Sequence, residues 1–313
     1  MAEGFRMWAN PSSPHAEGRA ARRALEDARE RVKRALGWDG EVIFTSGASE
    51  ALAIALNRAK AERRIVSAVE HDAVFGAAPD APVLPVVGGR ADVGAIDGQG
   101  WLVAVQQLNS ETGTLVLTGG ERVGQGNLLL ADCSQSAGKL ALPVADMLVL
   151  SAHKFGGPVG IGALLVRDHA LLEPVGGHER GYRRGTENLP GALGMAAALA
   201  AGGLESWATT EAERLAFRDA LGNALAPGEQ CSWIFAAAHP SLSAQALLIR
   251  LDAAGFAVSA GSACSSGTLK RSRALAGFGI AEDVAARTIR VSLGWNTTAE
   301  ELERFVEAWT SLK

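Results

Sequence analysis

Seven short apolar runs, most of them ending in a polar cluster, constrain this chain more than any other feature. They lie at residues 41–45, 65–69, 83–87, 101–106, 128–131, 147–150 and 163–166. Each is bounded by turn chemistry and is too short for a buried helix, so they read as interior strands. Helical patterns stand between or before several of them, at 19–36 with its alternating Arg and Glu and at 49–60. Strands alternating with helices predict an α/β fold on a mainly parallel sheet. After about residue 190 the pattern changes to longer helices, at 191–201 and 210–225, followed by helix and strand segments through Trp309. This predicts a smaller α+β unit.

The 313 residues, 48% hydrophobic and 20% charged, suffice for one large core and a satellite. A net charge of -4, with Lys and Arg scattered among acids, makes no basic field for nucleic acid. The first fifteen residues lack an apolar core, so no secretory signal is expected. The most apolar helical stretch, 192–204, is interrupted by Gly202 and Gly203 and too short for a bilayer, so no membrane association is expected. Cys133, Cys231 and Cys264 are widely spaced without a CxxC pair, which disfavours a disulfide framework or a zinc site. The cytoplasm is the expected compartment.

Parallel sheets bind ligands beyond the carboxyl ends of their strands, so the polar clusters there carry the functional reading. The first strand runs into Ser46-Gly47-Ala48-Ser49-Glu50, a turn into a helix N-terminus that suits a phosphate as well as a plain Ser cap. Glu70-His71 follows the second strand and Asn109-Ser110-Glu111 the fourth. Asp132 directly follows a buried strand, with Ser134 and Gln135 beyond it, and needs a cationic partner to stay ionised. A protonated pyridine nitrogen would be one. Ser151-Ala152-His153-Lys154 places a candidate Schiff-base amine at the next strand end. Singly, each cluster also fits loop solvation. Together, a phosphate turn, a stacking His, an acid and a lysine are what pyridoxal 5'-phosphate (PLP) requires. Further on lie a glycine-punctuated loop at 176–188 and a small-residue loop at 259–267 carrying Cys264. A thiol among Gly and Ser is more plausibly reactive than packed, whereas Cys133 and Cys231 adjoin core-like sequence.

These motifs resemble the cysteine desulfurases of the class V aminotransferase family, in the branch of iron-sulfur cluster and nitrogenase sulfur donors. The resemblance covers nearly the whole chain, most specifically in Ser-Ala-His-Lys at 151–154 and Gly-Ser-Ala-Cys-Ser-Ser-Gly at 261–267. It implies the PLP-dependent transferase fold type I. That fold has a mainly parallel seven-stranded sheet in a large PLP-binding domain (17–190), a small C-terminal α+β domain (191–313) and residues 1–16 packing near the active site. It further implies that Lys154 holds the cofactor and moves the substrate's Cα proton, and that Asp132 pairs with the ring nitrogen. His71 would stack on the ring and Gln135 bond its phenolic oxygen. Ala48, Ser49, Ser151 and His153 would cradle the phosphate, and Thr186 would reach the phosphate of a neighbouring subunit. Ser110 stands at a cofactor-contact position. Arg290 with Asn109 would bind the substrate, L-cysteine. Cys264, its pKa lowered near the cationic site, would take the sulfur as a persulfide, leaving L-alanine, and pass it to an acceptor protein such as an iron-sulfur scaffold. A homodimer is implied.

The chain departs from the family pattern in three ways. It opens close to Asn10 rather than with a strand-like segment, carries Asn109-Ser110 in place of two asparagines, and is shorter between Asp72 and Trp101 and around 227–233. The alternatives are another class V reaction, as in a transaminase, β-lyase or selenocysteine lyase, or a homologue that has lost turnover.

Overall fold

The computed structural model describes residues 1–261 and 271–312. Strands β1 (Glu41–Thr45), β2 (Arg63–Ser67) and β3 (Val83–Leu84) precede a small ribbon of β4 (Val86–Val87) and β5 (Arg90–Ala91). β6 (Trp101–Gln106), β7 (Leu128–Asp132), β8 (Met147–Ser151) and β9 (Gly162–Val166) follow. The seven-stranded sheet runs β1-β9-β8-β7-β6-β2-β3. Only β9 opposes its neighbours, pairing antiparallel with β1 and β8, while the remaining pairs are parallel. The expected mainly parallel sheet is therefore present.

Side-chain alternation explains why both faces are covered. Val42, Phe44, Leu148 and Leu150 join one core with the helices Ala16–Leu36 and Leu189–Ala200, whereas Ile43, Met147 and Val149 join another with Ala48–Arg58. Burial on both faces is why these strands read as continuous apolar runs. Beyond residue 220, β10 (Ala224–Leu225), β11 (Ile234–Ala238) and β12 (Thr288–Ser292) make a separate antiparallel sheet. It is packed by the helices Glu211–Ala220, Ala244–Ala253 and Ala299–Ser311 around Phe217, Phe235, Leu247 and Phe305.

Four sequence expectations shift. The strand at 83–87 splits, because Pro85 has no N–H to continue a ladder, and its second half turns into the β4–β5 ribbon. The strand at 65–69 sits two residues earlier, which frees Val69 and Glu70 to turn toward the strand ends. The helix at 210–225 stops at Ala220, where Gly222 in the left-handed region (φ 75°) reverses the chain into β10. The helix beginning near 191 spans Leu189–Ala200 and places Leu189, Ala192, Met195 and Ala196 in the large core. The change of core therefore comes after it rather than at 190. The short helix Ala2–Arg6 packs on this helix too; a Cβ at Gly4 would lie 2.6 Å from Pro190 Cα.

Candidate active site

The carboxyl ends of β1, β2, β6, β7 and β8 converge on a cleft of about 830 Å³, closed from the other side by residues of the small unit. Among the described residues its lining includes Ala48, Ser49, His71, Ser110, Asp132, Gln135, Ser151, His153, Lys154 and Arg290. Ten of the expected site residues thus come together from separate stretches of sequence. Parallel register does this, placing Gln106 beside Asp132 and Asp132 beside Val149, so that successive strands end at one edge.

On the β1 side, the turn 46–50 leads into the helix Ala48–Arg58, whose first turn lines the cleft with its amides lacking helical partners. Ser46 N donates to Glu50 Oε2 at 2.5 Å, and Arg183 holds Glu50 Oε1 at 3.0 Å. Partial burial opposes ionisation of Glu50, but the Ser46 bonds and Arg183 outweigh it and hold its pKa below the usual carboxylate range. Gly162 of β9 is required here: a Cβ would come within 2.5 Å of Leu150 O and 2.8 Å of Gly47. Beside this turn, Ser151 Oγ and His153 Nδ1 are 3.0 Å apart. Burial, then the charge of Lys154, lowers the His153 pKa, favouring the neutral ring.

The floor is more deeply buried. Asp132, 8% exposed, accepts from Ser134 N at 2.9 Å, and burial raises its pKa. Lys154 lies in the turn after β8, and Lys139 Nζ donates to the carbonyls of Lys154 (2.8 Å) and Gln135 (3.0 Å), fixing both backbones. Burial pushes the Lys139 pKa down to about 8. His71 caps the helix Asp72–Ala77, its Nδ1 accepting from Ala73 N at 3.1 Å. From β12, Arg290 reaches across, with Nη1 donating to Ser110 O at 3.3 Å and Nη2 to Ser259 Oγ at 3.0 Å.

Two expected residues do not line the cleft. Asn109 is 1% exposed and turned inward. Its Nδ2 donates to Val69 O, and its Oδ1 accepts from Glu111 N, Thr112 N and Thr112 Oγ. With its amide committed to the turn, it is placed to shape the loop rather than hold substrate. Thr186 is exposed on the 176–188 loop and is not among the cleft's lining residues. That loop is tied down by the buried Arg29–Glu179 pair (2.8 Å) and by His178 with Glu187 (3.0 Å). Residues 1–16, expected near the site, contribute no lining residue, because their helix is engaged with Leu189–Ala200. Cys264 lies outside the described residues. Cys133 and Cys231 are buried, as packing cysteines should be.

Glu70 and Glu111, which the sequence places in the polar clusters after their strands without a role, are both in the lining. Ser272 Oγ donates to Glu111 Oε2 at 2.6 Å, and burial raises the Glu111 pKa while Arg290 opposes the rise. Glu70 is 4% exposed, accepts from Ser67 Oγ and from Gln106 N (2.8 Å), and leaves Oε2 without a partner. Each acid follows a strand, and that position was the available signal.

The donor set fits a PLP-sized anion with a cationic ring. The helix N-terminus, Ser151 and His153 suit a phosphate. Asp132 is a desolvated carboxyl whose ionised form calls for a cation, since burial outweighs the Ser134 hydrogen bonds that favour that form.

Comparison with known proteins agrees. Residues 3–305 match the family model described as aminotransferase class-V. A cysteine desulfurase of Cereibacter sphaeroides is 36% identical, aligned over 95% of this chain and 87% of its own length. Cysteine desulfurase IscS 1 of Archaeoglobus fulgidus is 31% identical over 95% and 88%. Among solved structures, a NifS-like protein superposes with a TM-score of 0.83 at 26% identity, covering 98% of this chain and 92% of that one. SspA in complex with cysteine gives 0.76 at 27% identity, over 94% and 93%.

Proposed function

The chain belongs to the aminotransferase class-V family and is a PLP-dependent enzyme of its cysteine desulfurase group; on that premise we propose how its residues divide the conversion of L-cysteine to L-alanine. The observation that carries the assignment is one cleft holding Lys154, Asp132, His71, the Ala48 helix N-terminus and Arg290. When bound, PLP supplies an electron sink that stabilises negative charge developing on the substrate.

The chain's own groups do the rest. Ala48, Ser49, Ser151 and His153 would hold the phosphate, Asp132 would pair with the ring nitrogen, and His71, Gln135 and Ser110 would contact the ring. Lys154 would hold the cofactor covalently, and its amine would carry the proton at the substrate's Cα. Arg290 grips the substrate carboxylate through a planar fork that lysine cannot reproduce. Cys264, as thiolate, attacks the substrate sulfur: an Sγ–S bond forms as the substrate's Cβ–S bond breaks. Protonation at Cβ gives alanine, and the outer sulfur stays on Cys264 as a persulfide. Asn109 supports the loop that carries Ser110 instead of touching substrate.

Persulfide sulfur must leave for an acceptor, and we propose an acceptor protein such as an iron-sulfur scaffold. A homodimer is proposed because Thr186, exposed on an anchored loop, is free to reach a second copy's phosphate. A large domain to about residue 200, a smaller one beyond it and a cytoplasmic location complete the proposal. Among the described residues no helix is long and apolar enough to cross a membrane. Lys154→Ala tests the core of the reading. It should abolish the visible absorbance of lysine-bound PLP and reduce turnover by roughly a thousandfold or more; a variant that stays yellow through a covalent link would refute the role of Lys154.

A further inference from the structure

We propose that Glu70 is a positioning residue for Asp132: as the neutral member of a buried two-carboxyl pair behind the cleft, it leaves the pair's single negative charge on the carboxylate that faces the cofactor ring. The inference rests on the reading of Asp132 given above.

The geometry starts from the register. β6 and β7 run parallel, with Gln106 opposite Asp132, and Gln106 N donates to Glu70 Oε1 at 2.8 Å. The Glu70 carboxyl is thereby fixed at the strand end adjoining Asp132. Ser67 Oγ donates to the same Oε1, so both donors go to one oxygen. Oε2 is buried and has no partner. An ionised carboxylate concentrates charge on both oxygens, and leaving one without a donor in a desolvated site is costly; a carboxylic acid tolerates the arrangement better.

The charges around the pair act unequally. Asp132 has Ser134 N as a donor and the charge of Lys154 nearby, both favouring its charged form. Facing Glu70 are uncharged Gln106 and Ser67, His71 next in sequence, and Asp132, whose charge repels a second anion. On the helix Arg273–Gly277, packed against Ala68 and Val69, the positive charge of Arg273 is engaged by Asp72 at 2.7 Å. Burial, with Asp132 adding to it, pushes the Glu70 pKa up to about 8. When two buried carboxyls interact, the proton stays on the one whose surroundings favour its charge least, and these surroundings direct it to Glu70.

Infrared spectroscopy of the cofactor-free protein tests this without relying on turnover. The wild type should show a protonated-carboxyl C=O band at pH 6 that disappears with a midpoint near 8. The band should shift on labelling with ¹³C-glutamate but not ¹³C-aspartate, vanish in Glu70→Gln, and persist with a lower midpoint in Asp132→Asn. Labelling needs no variant, so the assignment survives if Glu70→Gln fails to fold. A band that follows aspartate, or none at pH 6, overturns the proposal. Wild-type PLP affinity in Asp132→Asn would instead overturn its premise about the ring nitrogen, even with the glutamate band in place.

Discussion

The two sheets contribute to the cleft in contrasting ways. The large sheet presents the ends of five strands, buried on both faces, and they carry the groups proposed to hold the cofactor. The three-stranded sheet presents Arg290, linked to the large unit through Ser110 O at 3.3 Å. A double-faced core fixes several side chains within one rigid frame, which a cofactor needs. A group delivered from a separate core can grip a substrate that enters and leaves. Cofactor retention and substrate recognition should therefore fail independently.

The sharpest way to break that separation is Asp132→Asn. It removes the charge proposed to pair with the ring nitrogen and should weaken PLP binding by roughly a hundredfold, measured by titrating PLP into the apo-protein. Arg290→Lys should do the opposite, raising KM for L-cysteine roughly tenfold or more while the cofactor spectrum stays as in wild type. If Arg290→Lys loses PLP, or Asp132→Asn changes only KM, the two sheets do not divide the work as argued.

The smallest effect concerns the floor of the large sheet. Because the folded pKa of Glu70 is raised from 4.5 to about 8, the unfolded chain gives up this proton at lower pH than the folded one. The group's contribution to stability is complete below pH ~4.5, declines as pH rises through the window and levels off above ~8. Glu70→Gln, neutral throughout, should gain on wild type across that window, by on the order of a few kcal/mol at most. Urea midpoints at pH 5, 7 and 9 would show it, and parallel pH dependences in the two proteins would contradict it.

Much of this site was legible because parallel sheets convert sequence order into spatial order: Asp132 and Lys154 lie at the ends of adjacent strands, and the sequence shows each as a polar residue after an apolar run. Other features depend on packing that periodicity does not report. Glu70 looks like a loop acid until the early end of β2 turns it under Gln106. Asn109 looks available until its amide is spent on Val69 and Thr112. The division of 83–87 was readable from Pro85 alone. The affiliation of the helix Leu189–Ala200 was not, since an apolar helix fits either core until its partner, Ala16–Leu36, is known.

The account turns on Cys264 as the sulfur acceptor, a role separate from those of the residues proposed to hold the cofactor. Mixing PLP-loaded protein with L-cysteine and a reductant, and measuring alanine and sulfide together beside Cys264→Ala, tests this most directly. The account predicts equal amounts of both products from the wild type, and from Cys264→Ala neither product although its lysine-bound PLP absorbance is unchanged. Undiminished alanine and sulfide from Cys264→Ala would contradict it.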